Sequence, residues 1–280
     1  ECLLGKSDSI TLKPDKKYWV DIVTSKPNGY EEDTNGNIYI SSPEGLAWLI
    51  STCNGINNET QNSFYKKTIF LLNDIDISDY QWTPIEYFEG TFNGLNHKIT
   101  GLYINNNTDN NAMFNLLTGS SSIRNLMICD GKLRGRYYIA GICLHNYGLI
   151  ENCGIYCNII SVKFSGIIAW TNSGSIINSY CNGEIEGTDY VGGAIGWNFG
   201  IITNCYVSST IKSSMLAHQD NAGVNIGQFT VEELTNHQQS CAYWLRSLHN
   251  INNGITATNG HSTGYYGFDN AGDEAVLYAI

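Results

Sequence analysis

Three nine-residue stretches decide how this chain is read: HNYGLIENC at 145–153, TNSGSIINS at 171–179 and WNFGIITNC at 197–205. Asn146, Asn172 and Asn198 stand 26 residues apart, and Asn152, Asn178 and Asn204 keep the same step. So do Gly148, Gly174 and Gly200, the trio Ile150, Ile176 and Ile202, and the trio Cys153, Ser179 and Cys205. Either one site is presented three times, or the winding of the chain requires these letters.

Self-similarity at a step of this size is the signature of a solenoid. From Thr68 to Ser213 the chain runs in short apolar stretches broken by Gly, Asn and Asp, with no helical period between them. That pattern cannot build a βαβ sheet. It predicts an all-β solenoid, a right-handed parallel β-helix of about five coils with short helical caps at or near both ends. Successive coils lie about 4.8 Å apart, so equivalent residues stack in columns. The isoleucines form an inward column, the Cys/Ser positions another, and the asparagines two ladders. A carboxamide both donates and accepts, so each Asn can bond the one above and the one below. Asn and, more easily, Gly tolerate left-handed backbone at corners. Winding alone accounts for every repeated letter.

The flanks differ in texture. Residues 1–37 are polar and turn-rich and are read as an irregular N-terminal segment; 38–213 form the β-helix, with a lead-in helix over 42–53. Ser41 and Glu44 have capping-box spacing, Pro43 suits a first turn, and Leu46, Leu49, Ile50 and Cys53 share one helical face. Residues 214–280 are read as a C-terminal cap with a helix over about 231–249. Thr230 and Glu233 give that helix a second capping box, and Asn253–Gly254 stops it. A solenoid needs such caps because its ends are open strand edges.

Composition narrows function. The 280 residues carry a net charge of −11, which excludes nucleic acid as a partner. No run approaches about 18 apolar residues, so no transmembrane span is expected. Nine cysteines cannot all pair within one chain, and most sit in apolar strand-like runs, which predicts buried free thiols. No Cys pair has metal-ligand spacing, so neither metal nor cofactor is expected.

YFEGTFNGLNHKITGLYI at 87–104 resembles the F-x-G-T-x-D/N-G-x-x-H-x-I-x-x-L signature that precedes GLUG-motif repeats. LLNDIDIS at 71–78, WTPI at 82–85 and SPEGLAWLI at 42–50 resemble that family's lead-in, and the three coils at 140–153, 165–179 and 191–205 resemble the repeat. The likeness covers roughly 38–213. It departs where the Gly-apolar-apolar-Gly core is complete only at Gly193–Gly196, and where AMFN stands at 112–115. The resemblance implies a bacterial surface or secreted, adhesin-like β-helix, its signal peptide already removed. It transfers no catalytic residue.

Among chemistry-bearing motifs, GHSTG at 260–264 lacks the elbow context and the later His that a nucleophile at Ser262 requires. His237 and Cys241 are two ligands short of a metal site. NDIDIS at 73–78 reads as turn-forming Asx residues rather than a calcium loop. Asp130, Lys132, Arg134 and Arg136, if extended, project from one face and offer an acidic polysaccharide a charged strip. His145, Tyr147, Trp170, Trp197 and Phe199 make one corner aromatic-rich, a surface suited to stacking on sugars. The leading expectation is a non-catalytic adhesion or glycan-binding module whose partners are host or dietary glycans or another surface protein. The alternatives are a polysaccharide-acting enzyme using the 130–136 face and a structural stalk.

Overall fold

The computed structural model describes residues 16–213. They form a right-handed parallel β-helix of about five turns with two helices. A complete coil has four short strands, one on each of four faces: Tyr137–Ala140, Cys143–Asn146, Leu149–Glu151 and Gly154–Ile160. The next coil repeats them as Lys163–Gly166, Ala169–Asn172, Ser175–Ile177 and Tyr180–Gly187. The third uses Asp189–Gly192, Ile195–Asn198, Ile201–Thr203 and Tyr206–Ser213. These strands join four sheets of three, four, eight and seven strands, on the first to fourth face in that order. All named pairings are parallel except that of Tyr30–Glu32 with Ile38–Ile40, which ends the eight-stranded sheet.

The core is a stack of columns. Ile38, Ile69, Phe92, Ile123, Ile150, Ile176 and Ile202 pair rung by rung and are buried. Each such side chain contributes about 2 kcal/mol by leaving water. The 26-residue step holds only for the last three positions. Earlier rungs are separated by 31, 23, 31 and 27 residues, because the corner loops there differ in length.

The two asparagine columns differ in environment. Asn146, Asn172 and Asn198 are wholly buried, and the Asn146 and Asn172 amides each donate to the next carboxamide oxygen at 2.7 Å. Asn152, Asn178 and Asn204 are exposed and carry φ of 53°, 49° and 50°. Asn125 joins this outer column at φ 51°; it donates to Asn93 at 3.1 Å and accepts from Asn152 at 3.2 Å. Asn204 donates to Asn178 at 3.1 Å. Left-handed backbone is costly for a residue with a Cβ and least so for Asn or Gly. Asn178→Ala should therefore lower stability by about 1 kcal/mol, and Asn178→Gly by less, in urea unfolding.

The repeated glycines do a different task from the one expected. None of Gly148, Gly174 and Gly200 is left-handed. A Cβ on Gly174 would lie 2.1 Å from the Gly148 carbonyl oxygen, and one on Gly200 would lie 2.2 Å from that of Gly174. Close approach of stacked backbones, rather than corner conformation, demands glycine there.

The lead-in helix is Pro43–Asn54. Its N-cap is Ser42, whose hydroxyl accepts from the Gly45 N–H at 3.1 Å, and not Ser41. Proline lacks the N–H and has its φ preset, so it settles at the first helical position and the cap falls on the residue before it. Gly55, left-handed at φ 67°, closes the helix. Within the tract read as irregular, Trp19–Ile22 is helical and Tyr30–Glu32 is a strand, anchored by buried Trp19, Val20, Val23 and Tyr30. The expected C-terminal cap over 214–280, with its helix at 231–249, Ser262, His237 and Cys241, lies outside the described residues.

Cys53, Cys143, Cys153, Cys157, Cys181 and Cys205 are free and buried. Burial pushes the Cys153 thiol up to about 12, which leaves it protonated and unreactive. Cys129 departs from the free-thiol expectation, being disulfide-bonded.

Candidate functional site

Two regions stand outside the core. The first is an aromatic corner where the first and second faces meet. On the first face Tyr137 pairs with Lys163 and Ile139 with Ser165, while Tyr138 and Phe164 between them adopt φ of 55° and 66°. Left-handed backbone at a bulky aromatic is a strained arrangement that costs on the order of 1–3 kcal/mol. It sets the two rings outside the solenoid, stacked at 4.9 Å and 9°. Trp170 lies against both, 5.0 Å from Phe164 and 5.9 Å from Tyr138. Its ring also covers Gly196 of the next rung, where a Cβ would come within 2.2 Å of the indole.

The run continues through Trp197, 6.3 Å from Trp170, to Phe199, 5.2 Å from Trp197. At its other end Tyr137 lies 6.2 Å from Phe164, with the Arg136 guanidinium 4.8 Å above the Tyr137 ring. With Ala112, Ala140 and Leu144 as its floor, this cluster is separate from the main core. The Trp197 indole N–H is buried without a hydrogen-bond partner. Such a donor forgoes about 1–3 kcal/mol until something accepts from it.

The residues singled out in the sequence take unequal places here. Trp170 is 4% exposed and presents no ring face to solvent, so it is a pillar. Trp197 is half-buried, and Phe199, at 53% exposure, is the outermost ring. Tyr147 is equally exposed but makes no ring contact with the cluster among the described residues. His145 is half-buried, its Nδ1 2.9 Å from the Thr171 hydroxyl, and burial lowers its basicity. Tyr137, Tyr138 and Phe164 were missed, although Tyr138 and Phe164 obey the 26-residue step. Strict strand alternation does not report the direction of a residue on left-handed backbone.

The second region is the charged strip. Asp130, Lys132 and Arg134 lie on the outer side of strand Met127–Arg134, with the bulge at Asp130 (φ 54°) shifting the register between Ile128 and Gly131. Arg136 does not share their face. The strand ends at Arg134 and the chain turns through Gly135, so Arg136 belongs to the next corner. Asp130 and Lys132 pair at 3.6 Å. Together with Lys16, Ser78, Asp79, Gly101 and Tyr103 they line a cleft of about 480 Å³. The Lys16 ammonium sits 4.4 Å over Tyr103 and donates to the Ser78 carbonyl.

In NDIDIS, Asp76 accepts from the Ser78 N–H at 2.9 Å, an Asx turn, and Asp74 meets His97 at 3.1 Å. Hydrogen bonds from the Lys98 N–H and His97 hold the Asp74 carboxyl below its ordinary value. No group of three metal-ligating side chains occurs among the described residues. No helix among them is long and apolar enough to cross a membrane.

No protein-family model matches the chain. The "Putative Gly-rich membrane protein" of Evansella cellulosilytica is 31% identical over 148 residues, 46% of this chain and 17% of that relative. The chain thus spans under a fifth of the curated relative's length. The crystal structure of a "putative immunoglobulin A1 protease" from Bacteroides ovatus is similar with a TM-score of 0.53 at 20% identity, covering 70% of this chain and 65% of that one. What this chain shares with that structure is the fold, a right-handed parallel β-helix.

Proposed function

We propose that the chain is a cell-surface or secreted recognition module, GLUG-like and adhesin-like, that binds glycans through the aromatic corner without catalysis. The observation that carries this reading is the run of rings from Tyr137 to Phe199, packed outside the main core, with Tyr138 and Phe164 on left-handed backbone and Phe199 exposed at its end. A hydrophobic core needs no such outer shell. Sugar rings present C–H faces that stack on aromatic rings. The disulfide at Cys129 supports an oxidising compartment and hence export. The similarity to a protein named as a membrane protein supports the same placement.

Phe199→Ala tests the reading most directly. Affinity for a bound glycan, found by array and measured by calorimetry, should fall about tenfold, with the thermal midpoint unchanged because Phe199 is exposed. Wild-type affinity in that variant, or no binding across a broad array, would end the proposal.

The cleft at Asp130 and Lys132 favours a second reading, a polysaccharide-acting enzyme, because acidic and basic groups converge on a space of ligand size. An assay of acidic polysaccharides for new unsaturated ends decides it. Activity that Lys132→Ala abolishes would support the enzyme, and no activity would remove it.

A further inference from the structure

From the junction of the aromatic corner with the strip beside it, we infer that the corner recognises an acidic glycan, one bearing carboxylate or sulfate groups, with Arg134 and Arg136 as its anion-binding residues. The inference rests on the glycan reading of the corner and specifies the class of sugar.

The chain carries a net charge of −11, so a local concentration of exposed cations is against its general character. Lys132, Arg134 and Arg136 fall within five residues, and the described residues hold just one other arginine, Arg124. Some of the other cations are paired. Arg124 lies 3.5 Å from Glu151, Lys98 lies 3.7 Å from Asp74, and Lys132 is tied to Asp130. Arg134 and Arg136 are exposed, and neither has a carboxylate within ion-pair distance among the described residues. Guanidinium groups have planar donor pairs that match carboxylate and sulfate oxygens two at a time.

Position then links charge to rings. Arg136 already rests on Tyr137, the first ring of the corner, and only Gly135 separates it from Arg134. A sugar chain lying across this junction would place neutral ring faces on the aromatics and its acidic groups on the two guanidiniums. In register, Arg134 is followed by Ile160 and then by exposed Glu186, so no cation stacks directly on Arg134 over the next two rungs. The acidic ligand is therefore expected to run around the corner rather than along the stack.

The test uses the full chain with three probes: neutral galactose oligomers, galacturonate oligomers and a sulfated galactan. Wild type should bind at least one acidic probe roughly tenfold or more tightly than the neutral one, and lose that advantage as salt is raised. The Arg134→Ala, Arg136→Ala double variant should bind acidic and neutral probes alike, with neutral affinity and thermal midpoint unchanged. Preference for galacturonate alone identifies a carboxylate ligand, and preference for the sulfated galactan alone a sulfate ligand. Equal wild-type affinity for neutral and acidic probes, or an acidic preference that survives in the double variant, overturns the inference while leaving the glycan reading intact. Binding of every probe that Phe199→Ala does not weaken overturns the glycan reading itself.

Discussion

Gly174→Ala is expected to destabilise the chain by about 3 kcal/mol or more, the range of severe overpacking. The added methyl would stand 2.1 Å from the Gly148 carbonyl oxygen and 2.6 Å from the Tyr147 carbonyl carbon. Both are backbone atoms, so no side chain can swing aside to make room. The contact cannot be relieved by lifting one rung, because the Ser175 N–H is bonded to the same Gly148 oxygen at 2.8 Å and the Gly174 N–H to Asn146 at 3.0 Å. Urea unfolding of the whole chain gives the comparison, with Ser173→Ala as the neighbouring control, since Ser173 is exposed. A midpoint for Gly174→Ala equal to that of the control would show that the stack yields at little cost, and the close-approach explanation of the repeated glycines would fall.

The second large effect is expected at Asn172. Its carboxamide is wholly buried, accepts from Asn146 and donates to Asn198. Asn172→Ala removes the carboxamide that donates to the Asn198 oxygen and the best acceptor of Asn146. The cost is about 2–4 kcal/mol, because each unsatisfied buried group forfeits its solvation. Asn172→Asp separates hydrogen bonding from packing. A carboxylate of nearly the same shape can accept from Asn146 but cannot donate to Asn198, and it brings a charge where there is no water. Its folded-state pKa is then raised above the unfolded value. The deficit is full above that folded pKa and shrinks as pH falls through it, when the protonated acid donates again. A stability loss independent of pH would contradict the donor role assigned to Asn172. The larger effect lies in the inner column, since the outer asparagines keep water as an alternative partner.

Much of the solenoid was legible because winding is a local, repeated requirement. Ile150, Ile176 and Ile202 repeat since each rung needs the same inward side chain, and Asn146, Asn172 and Asn198 since each needs the same donor and acceptor. Where loop lengths vary, the sequence loses the count: Ile69, Phe92 and Ile123 continue the column without sharing its step. The N-cap slipped from Ser41 to Ser42 for an equally local reason, the position proline takes in a first turn.

The site was legible only in part. Phe199 and Trp197 stand out as unrepeated letters between repeated ones, and they lie in the corner. Trp170 stands out equally and is buried, because the space left by Gly196 one rung on receives its ring. Tyr138 and Phe164 were not singled out in the sequence and form the stacked pair, since left-handed backbone at both sets their rings outward. Arg136 looked like the fourth member of a strip and turned onto Tyr137, because the strand ends at Arg134.

By itself, then, the sequence determined the winding and the columns. These follow from period and donor–acceptor chemistry, which any short stretch reports additively. Tertiary structure alone decided which outward side chains meet. A one-residue bulge or the end of a strand redirects a side chain without changing the letters around it. Contact between neighbours 26 residues apart exists only once the rungs are stacked.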